Sequence, residues 1–173
     1  MRNPVRVFAW WASSVCVAAC LAFAAPAAPA SAADSREAAN EKLVLDFFHA
    51  LDDAEAAGTL VQRIDGIAEK YVAPDYAQHG ELFTNLPGPG NGRDKMVRFF
   101  KTTVGRPMSA TAATPAKLVS IAAKGDKVMV LTSREIPDSA TGQTKTYFVF
   151  NMFRIAADRL VEHWELLEMP PSM

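Results

Sequence analysis

The chain has 173 residues, half of them hydrophobic, with 18 Lys and Arg set against 19 Asp and Glu and a formal net charge of −1. That balance excludes the basic footprint a nucleic-acid binder needs. The length suits a single domain once a leader is set aside.

The leader is the first predicted element. Arg2 and Arg6 make a basic start, and residues 7–25 run apolar and uncharged. Pro26 and Pro29 follow, and Ala30-Ser31-Ala32 gives the small-x-small exit of a signal peptide, so residues 1–32 are predicted to be removed and 33–173 to form the mature domain. A membrane anchor would need about 20 apolar residues, and the early prolines argue against one. A second route is open: Val17-Ala18-Ala19-Cys20 resembles a lipobox, so membrane attachment is expected only if Cys20 is lipidated. Otherwise the mature chain is periplasmic or secreted. Under simple cleavage both cysteines, Cys16 and Cys20, leave with the leader, and no disulfide framework is then possible. Its removal takes two arginines and no acid, moving the formal charge from −1 to −3.

Leu43, Val44, Phe47, Phe48 and Leu51 recur at helical spacing, behind a capping pair of Asp34 and Glu37, and predict a helix over 35–56. Gly58 ends it. Leu60, Val61, Ile64, Ile67, Ala68 and Tyr71 draw a second, shorter helix that stops near Val72, before Pro74. A loop rich in Pro and Gly (86–92) leads to a third helix capped by Asp94 and carrying Met96, Val97, Phe99, Phe100 and Val104. From Ala116 the period becomes two, with strands predicted over 117–123, 127–136, 145–155 and 159–167. Helices followed by sequential strands on short turns imply an α+β fold, an antiparallel meander wrapped over helices.

The last hairpin, Phe150-Asn151-Met152-Phe153-Arg154-Ile155 followed by Leu160-Val161-Glu162-His163-Trp164-Glu165, resembles the signature of SnoaL-like, nuclear transport factor 2-like proteins. Tyr76-Ala77-Gln78-His79 and Gly92-Arg93 resemble further segments of the same group, in the same order. The resemblance implies a cone-shaped curved sheet closed by helices, a pocket in the cone, and often a homodimer. It also implies chemistry that needs no metal or organic cofactor: a proton is removed next to a carbonyl and the enolate is held by hydrogen bonds, as in aldol condensation, cyclisation or isomerisation. This chain departs from the group where an acid is replaced by Asn151, which cannot shuttle a proton. Glu165 stands for the Asp after the Trp, Gly80-Glu81 for an Asn-Pro, and Asp158 for a turn glycine.

Register decides which side chains share a face. A two-residue turn at Ala157-Asp158 would pair Ile155 with Leu160 and set Asn151 opposite Trp164. A type I turn with a bulge would pair Ile155 with Arg159 and set Asn151 opposite His163, and this is the favoured expectation. It gathers Tyr147, Val149, Asn151, Phe153, Val161, His163, Glu165 and Leu167 on one face, an apolar wall with a few polar groups. The other face takes Phe148, Phe150, Met152, Arg154, Leu160, Glu162, Trp164 and Leu166, apolar enough to suggest a dimer interface. Arg154 is expected to pair with Glu162, and His49 to be solvated.

In the catalytic reading Glu165 is the base, His163 or His79 orients it or donates to the enolate, Asn151 donates to the oxyanion, and Tyr76, Tyr147 and Phe153 line the substrate. Each has a plainer structural alternative: His163, Glu165 and Asn151 as mutually bonded core groups, His79 as a surface loop residue, Tyr76 as half core and half rim. The competing function is a binding module for a small apolar or carbonyl-containing molecule. A third, His79, His163 and Glu165 around a divalent metal, has suitable ligand types but no diagnostic spacing.

Overall fold

The computed structural model describes residues 31–80, 86, 88–89, 92–104, 116–137 and 142–167. Residues 1–30 of the predicted leader, with Cys16 and Cys20, and most of the loop after Gly80 lie outside the described residues.

Helix α1 runs Ala32–Ala56. Its cap lies one turn earlier than the sequence pattern predicts: Asp34 N–H donates to Ser31 Oγ at 3.1 Å and Ser31 N–H to the Asp34 carboxylate at 3.0 Å. Glu37 is thereby free for another task. It accepts from Gly125 N–H at 2.7 Å, Glu41 accepts from Ala123 N–H at 2.8 Å, and buried Asn40 donates to the Gly125 carbonyl at 3.0 Å. Three polar side chains near the start of α1 thus clip the helix to a β-turn, while Val44 and Phe47, one and two turns further along the same stripe, enter the core. Gly58, at φ +66°, ends the segment, and α2 (Leu60–Tyr71) buries Leu60, Ile64, Ile67, Ala68 and Tyr71, nearly the whole predicted stripe.

Strand β1, Val72–Gln78, is a correction to the sequence reading, which stopped at the end of α2. Pro74 and Asp75 disguised it; a proline is tolerated because β1 is an edge strand. Helix α3 follows at Gly92–Phe99, two residues ahead of the predicted Asp94 cap, and continues as a π-helical turn over Phe100–Val104. Its first residue packs against β1 so closely that a Cβ on Gly92 would fall onto the Tyr76 carbonyl oxygen. Glycine is therefore a steric requirement there.

The remaining strands are β2 (Lys117–Lys124), β3 (Lys127–Pro137), β4 (Thr144–Ala156) and β5 (Arg159–Leu167). The sheet order is β1-β5-β4-β3-β2. The predicted meander β2 to β5 is antiparallel, and β1 joins parallel to β5, so the five-stranded sheet is mixed at one edge. One face meets the helices: Val128, Val130, Phe153, Ile155 and Leu160 pack with Val44, Phe47, Ile64 and Tyr71 in the core. Phe153 receives the edges of Phe47 and Phe48 at centroid distances of 6.4 and 5.7 Å. The opposite face leaves Phe148 45%, Phe150 37% and Leu166 73% exposed.

Two consequences can be measured. Gly92→Ala must push α3 off β1 and should cost about 2 kcal/mol or more in urea unfolding, in the range of overpacked sites; an unchanged midpoint would show that the close approach is dispensable. Ala157 lies at φ 47° and Asp158 at φ 54°, a type I′ pair in which Asn suits the first position far better than Ala. Ala157→Asn should therefore raise the thermal midpoint by roughly 3 °C, corresponding to about 1 kcal/mol.

Candidate functional site

The β4–β5 hairpin combines features of both sequence alternatives. The turn has two residues and pairs Ile155 with Leu160, as in the disfavoured alternative. A bulge then inserts Val161, because Arg154 already pairs with Glu162. Beyond it Phe153 faces His163 and Asn151 faces Glu165, so the expected Asn151–His163 opposition is corrected by one pair. Face membership survives for Asn151, Phe153, His163 and Glu165. It fails near the turn, where Leu160 is fully buried and Val161 only partly so.

His163 is the centre of the polar group. Its ring lies flat on Phe153, with centroids 4.2 Å apart and planes within 3°. Nδ1 is 2.9 Å from Gln78 Nε2 and Nε2 is 2.9 Å from Asn151 Oδ1. Gln78 Oε1 accepts from His79 N–H at 3.0 Å, which settles which end of that amide meets the imidazole. Gln78 thus donates to Nδ1, and His163 in its neutral Nε2–H form donates to Asn151. Burial, with a smaller push from the charge of His79, lowers the His163 pKa to about 3, so the ring is uncharged near neutrality.

Glu165 is half-buried and has no hydrogen-bond partner among the described residues; burial raises its pKa above the ordinary glutamate value. Tyr76, only 3% exposed, is raised well above the usual phenol value by burial and then by the negative charge of Glu165. Its hydroxyl is therefore a donor at any working pH. Tyr147 is buried further along the same face of β4, with Lys145 Nζ 4.8 Å from its ring centroid.

The structure brings Asn151, Phe153, His163, Glu165, Tyr76 and Tyr147 to one side of the sheet. It does not bring His79. That residue follows β1 on the opposite side, where Nε2 lies 2.8 Å from Glu162 and the ring stacks on Trp164 at 5.1 Å. Alternation along β1 is the reason: Tyr76 and Gln78 point inward, Ala77 and His79 outward. His79 cannot orient Glu165, and the trio His79, His163 and Glu165 cannot surround one metal ion.

 Arg154 does pair with Glu162, Nε to Oε2 at 2.7 Å, as expected, and that bond, followed by the one to His79, lowers the Glu162 pKa. His49 is exposed. Gln78 is the residue the sequence reading missed; once β1 is recognised, its position two residues from Tyr76 puts it on the inner face.

A cleft of about 610 Å³ lies elsewhere, between α2 and α3, lined by Asp65, Glu69, Arg93, Asp94, Arg98 and Lys101 among others. It mixes equal numbers of acids and bases, and Lys101 is paired with Asp65 at 2.5 Å. The inner face of β1, β4 and β5 is the better candidate because it combines an apolar wall with convergent, electrostatically perturbed groups.

A five-stranded mixed sheet with helices packed on one face is the nuclear transport factor 2-like fold. The chain belongs to the SnoaL-like domain family, which matches it over residues 44–163. Among solved structures, AclR from Streptomyces galilaeus, a candidate hydroxylase, has a TM-score of 0.53 at 20% identity, covering 78% of this chain and 92% of that one. An NTF2-like protein of unknown function from Burkholderia pseudomallei also has a TM-score of 0.53, at 18% identity, with coverage of 75% and 91%. TerC, co-crystallised with polyporic acid, has a TM-score of 0.50 at 16% identity, with coverage of 75% and 92%. The comparison with curated proteins found no match.

The His163 environment makes stability depend on pH. Its folded pKa of about 3 lies below the ordinary value of 6.5, so its contribution is present above pH 6.5 and is lost as pH falls toward 3. Between pH 7.5 and pH 5 this residue alone should remove about 2 kcal/mol of unfolding free energy. His163→Gln should abolish that part of the slope in urea titrations at the two pH values; an undiminished slope would assign it to other groups.

Proposed function

We propose that the inner face of β1, β4 and β5 binds a small carbonyl-containing molecule and that Glu165 moves a proton on it. The observation that carries this reading is Glu165 itself: a carboxyl group with a raised pKa and no hydrogen bond among the described residues, directly across the strand pair from Asn151. A carboxylate whose proton affinity is raised by burial is a stronger base than a solvated glutamate. Asn151 Oδ1 is occupied by His163, which leaves its Nδ2 to donate to a developing enolate oxygen, while the Tyr76 hydroxyl supplies a second donor. The reactions within reach are aldol condensation, cyclisation and isomerisation. His163 holds Asn151 in place and is not the base, since both ring nitrogens are engaged and the ring stays neutral. TerC, a protein of the same fold, was co-crystallised with polyporic acid.

A second reading, a binding module without chemistry, is favoured by Asn151: the group opposite Glu165 is an amide, so the site has one carboxyl where a proton shuttle would use two. In either case we propose an exported protein whose leader is residues 1–32, and a homodimer formed through the outer sheet face with Phe148, Phe150 and Leu166. No helix among the described residues is long and apolar enough to cross a membrane.

The two readings separate in deuterium exchange. Small ketones incubated with the protein in D2O should take up deuterium at the α-carbon. Glu165→Gln should slow that exchange by about 100-fold or more while ligand affinity stays within a few-fold. Tight binding with no exchange in the wild-type protein would support the binding module.

A further inference from the structure

Resting on the reading of this face as a ligand site, we infer that Gln78 sets the tautomer of His163 and through it fixes Asn151 as a hydrogen-bond donor, so that the site selects ligands presenting an unprotonated oxygen. The direction of every bond in the chain follows from its first member. A backbone N–H only donates, so Gln78 Oε1 is the acceptor for His79 N–H at 3.0 Å. The other end of the amide, Nε2, only donates, so His163 Nδ1 must accept at 2.9 Å. A neutral imidazole that accepts at Nδ1 carries its proton at Nε2. It therefore donates to Asn151 Oδ1 at 2.9 Å and leaves Nδ2 as the free end of the Asn151 amide.

The register supports this order. Gln78 pairs with His163 along the parallel β1–β5 ladder, and His79 N–H also donates to the His163 carbonyl at 2.9 Å, so backbone bonds hold Gln78 level with the imidazole. The ring cannot tilt away because it lies on Phe153. Tyr76, inward on the same strand, keeps its proton and adds a donor. A ketone or enolate oxygen matches these groups; a hydroxyl used as a donor does not. Gln78 is thus a positioning residue that acts through two others.

Gln78→Glu is the direct test. A carboxylate at this position still accepts from His79 N–H but cannot donate to His163, so it favours the Nδ1–H form. His163 Nε2 then becomes an acceptor, and the Asn151 amide turns over to present its oxygen. Long-range 15N–1H spectra of histidine-labelled protein at pH 8 read the tautomer, with His49→Gln and His79→Gln identifying the other two signals. The wild-type protein should show His163 as Nε2–H, Gln78→Glu as Nδ1–H, and Gln78→Leu as a mixture. Binding of 1-tetralone and 1-tetralol gives the second readout. The wild-type protein should favour the ketone by about tenfold, and Gln78→Glu should reduce that preference to within about threefold or reverse it. A wild-type Nδ1–H signal overturns the relay, as does a Gln78→Glu variant with both tautomer and ketone preference unchanged. Failure of both probes to bind, with the tautomers as stated, overturns the ligand-site reading and the selectivity that rests on it.

Discussion

The extra residue at Val161 is the constraint on which the inner face depends. In an unbroken strand, Leu160 and His163 would point to opposite sides, since three steps reverse the face. The hydrophobic core near the turn requires Leu160 inside, opposite Ile155, and the polar group further along requires His163 inside, opposite Phe153. One bulge reconciles the two. Without it, the register set by the turn would turn Glu162 and Trp164 inward and send His163 and Glu165 out. Glu162 would then lose its bonds to Arg154 and His79 and enter an apolar layer, an expensive exchange for a charged group.

The two sides of the hairpin consequently follow different electrostatic rules. Outside, hydrogen bonds from Arg154 and then His79 favour the ionised form of Glu162 and lower its pKa. Inside, burial dominates: His163 is driven toward neutrality, and Glu165 and Tyr76 toward their protonated forms. Residues adjacent in sequence, Glu162 and His163, are shifted by opposite causes because a strand separates neighbours into two environments.

Much of this was legible in the sequence, and the failures have local causes. The helical stripes of α1 and α2 and the four strands from Lys117 onward were readable because their apolar periods are unbroken. β1 was not, because Pro74 and Asp75 interrupt a short segment at the sheet edge. Missing β1 left His79 without a face and Gln78 without a role. The inward set Asn151, Phe153, His163 and Glu165 was readable from alternation alone. Its pairing was not, because both a two-residue turn and a bulge are present and sequence spacing treats them as alternatives. The polar clip of Glu37, Asn40 and Glu41 on the β2–β3 turn was also hidden, since these residues look like an ordinary solvated helix face until the turn at Gly125 is placed against them.

An edge strand ordinarily leaves its free backbone groups as a hazard, yet here the edge next to β5 is where the polar chain begins. The end of β1 is fixed by its parallel register with β5 and by the contact of the Tyr76 carbonyl with Gly92 at the start of α3. Those restraints place the His79 N–H, which bonds at once to the His163 carbonyl and to the Gln78 side chain. A backbone donor cannot reverse its polarity, whereas an amide, an imidazole and a second amide each can. Anchoring the flexible members to the one that cannot turn gives the whole chain a single sense, from the edge of the sheet inward to Asn151.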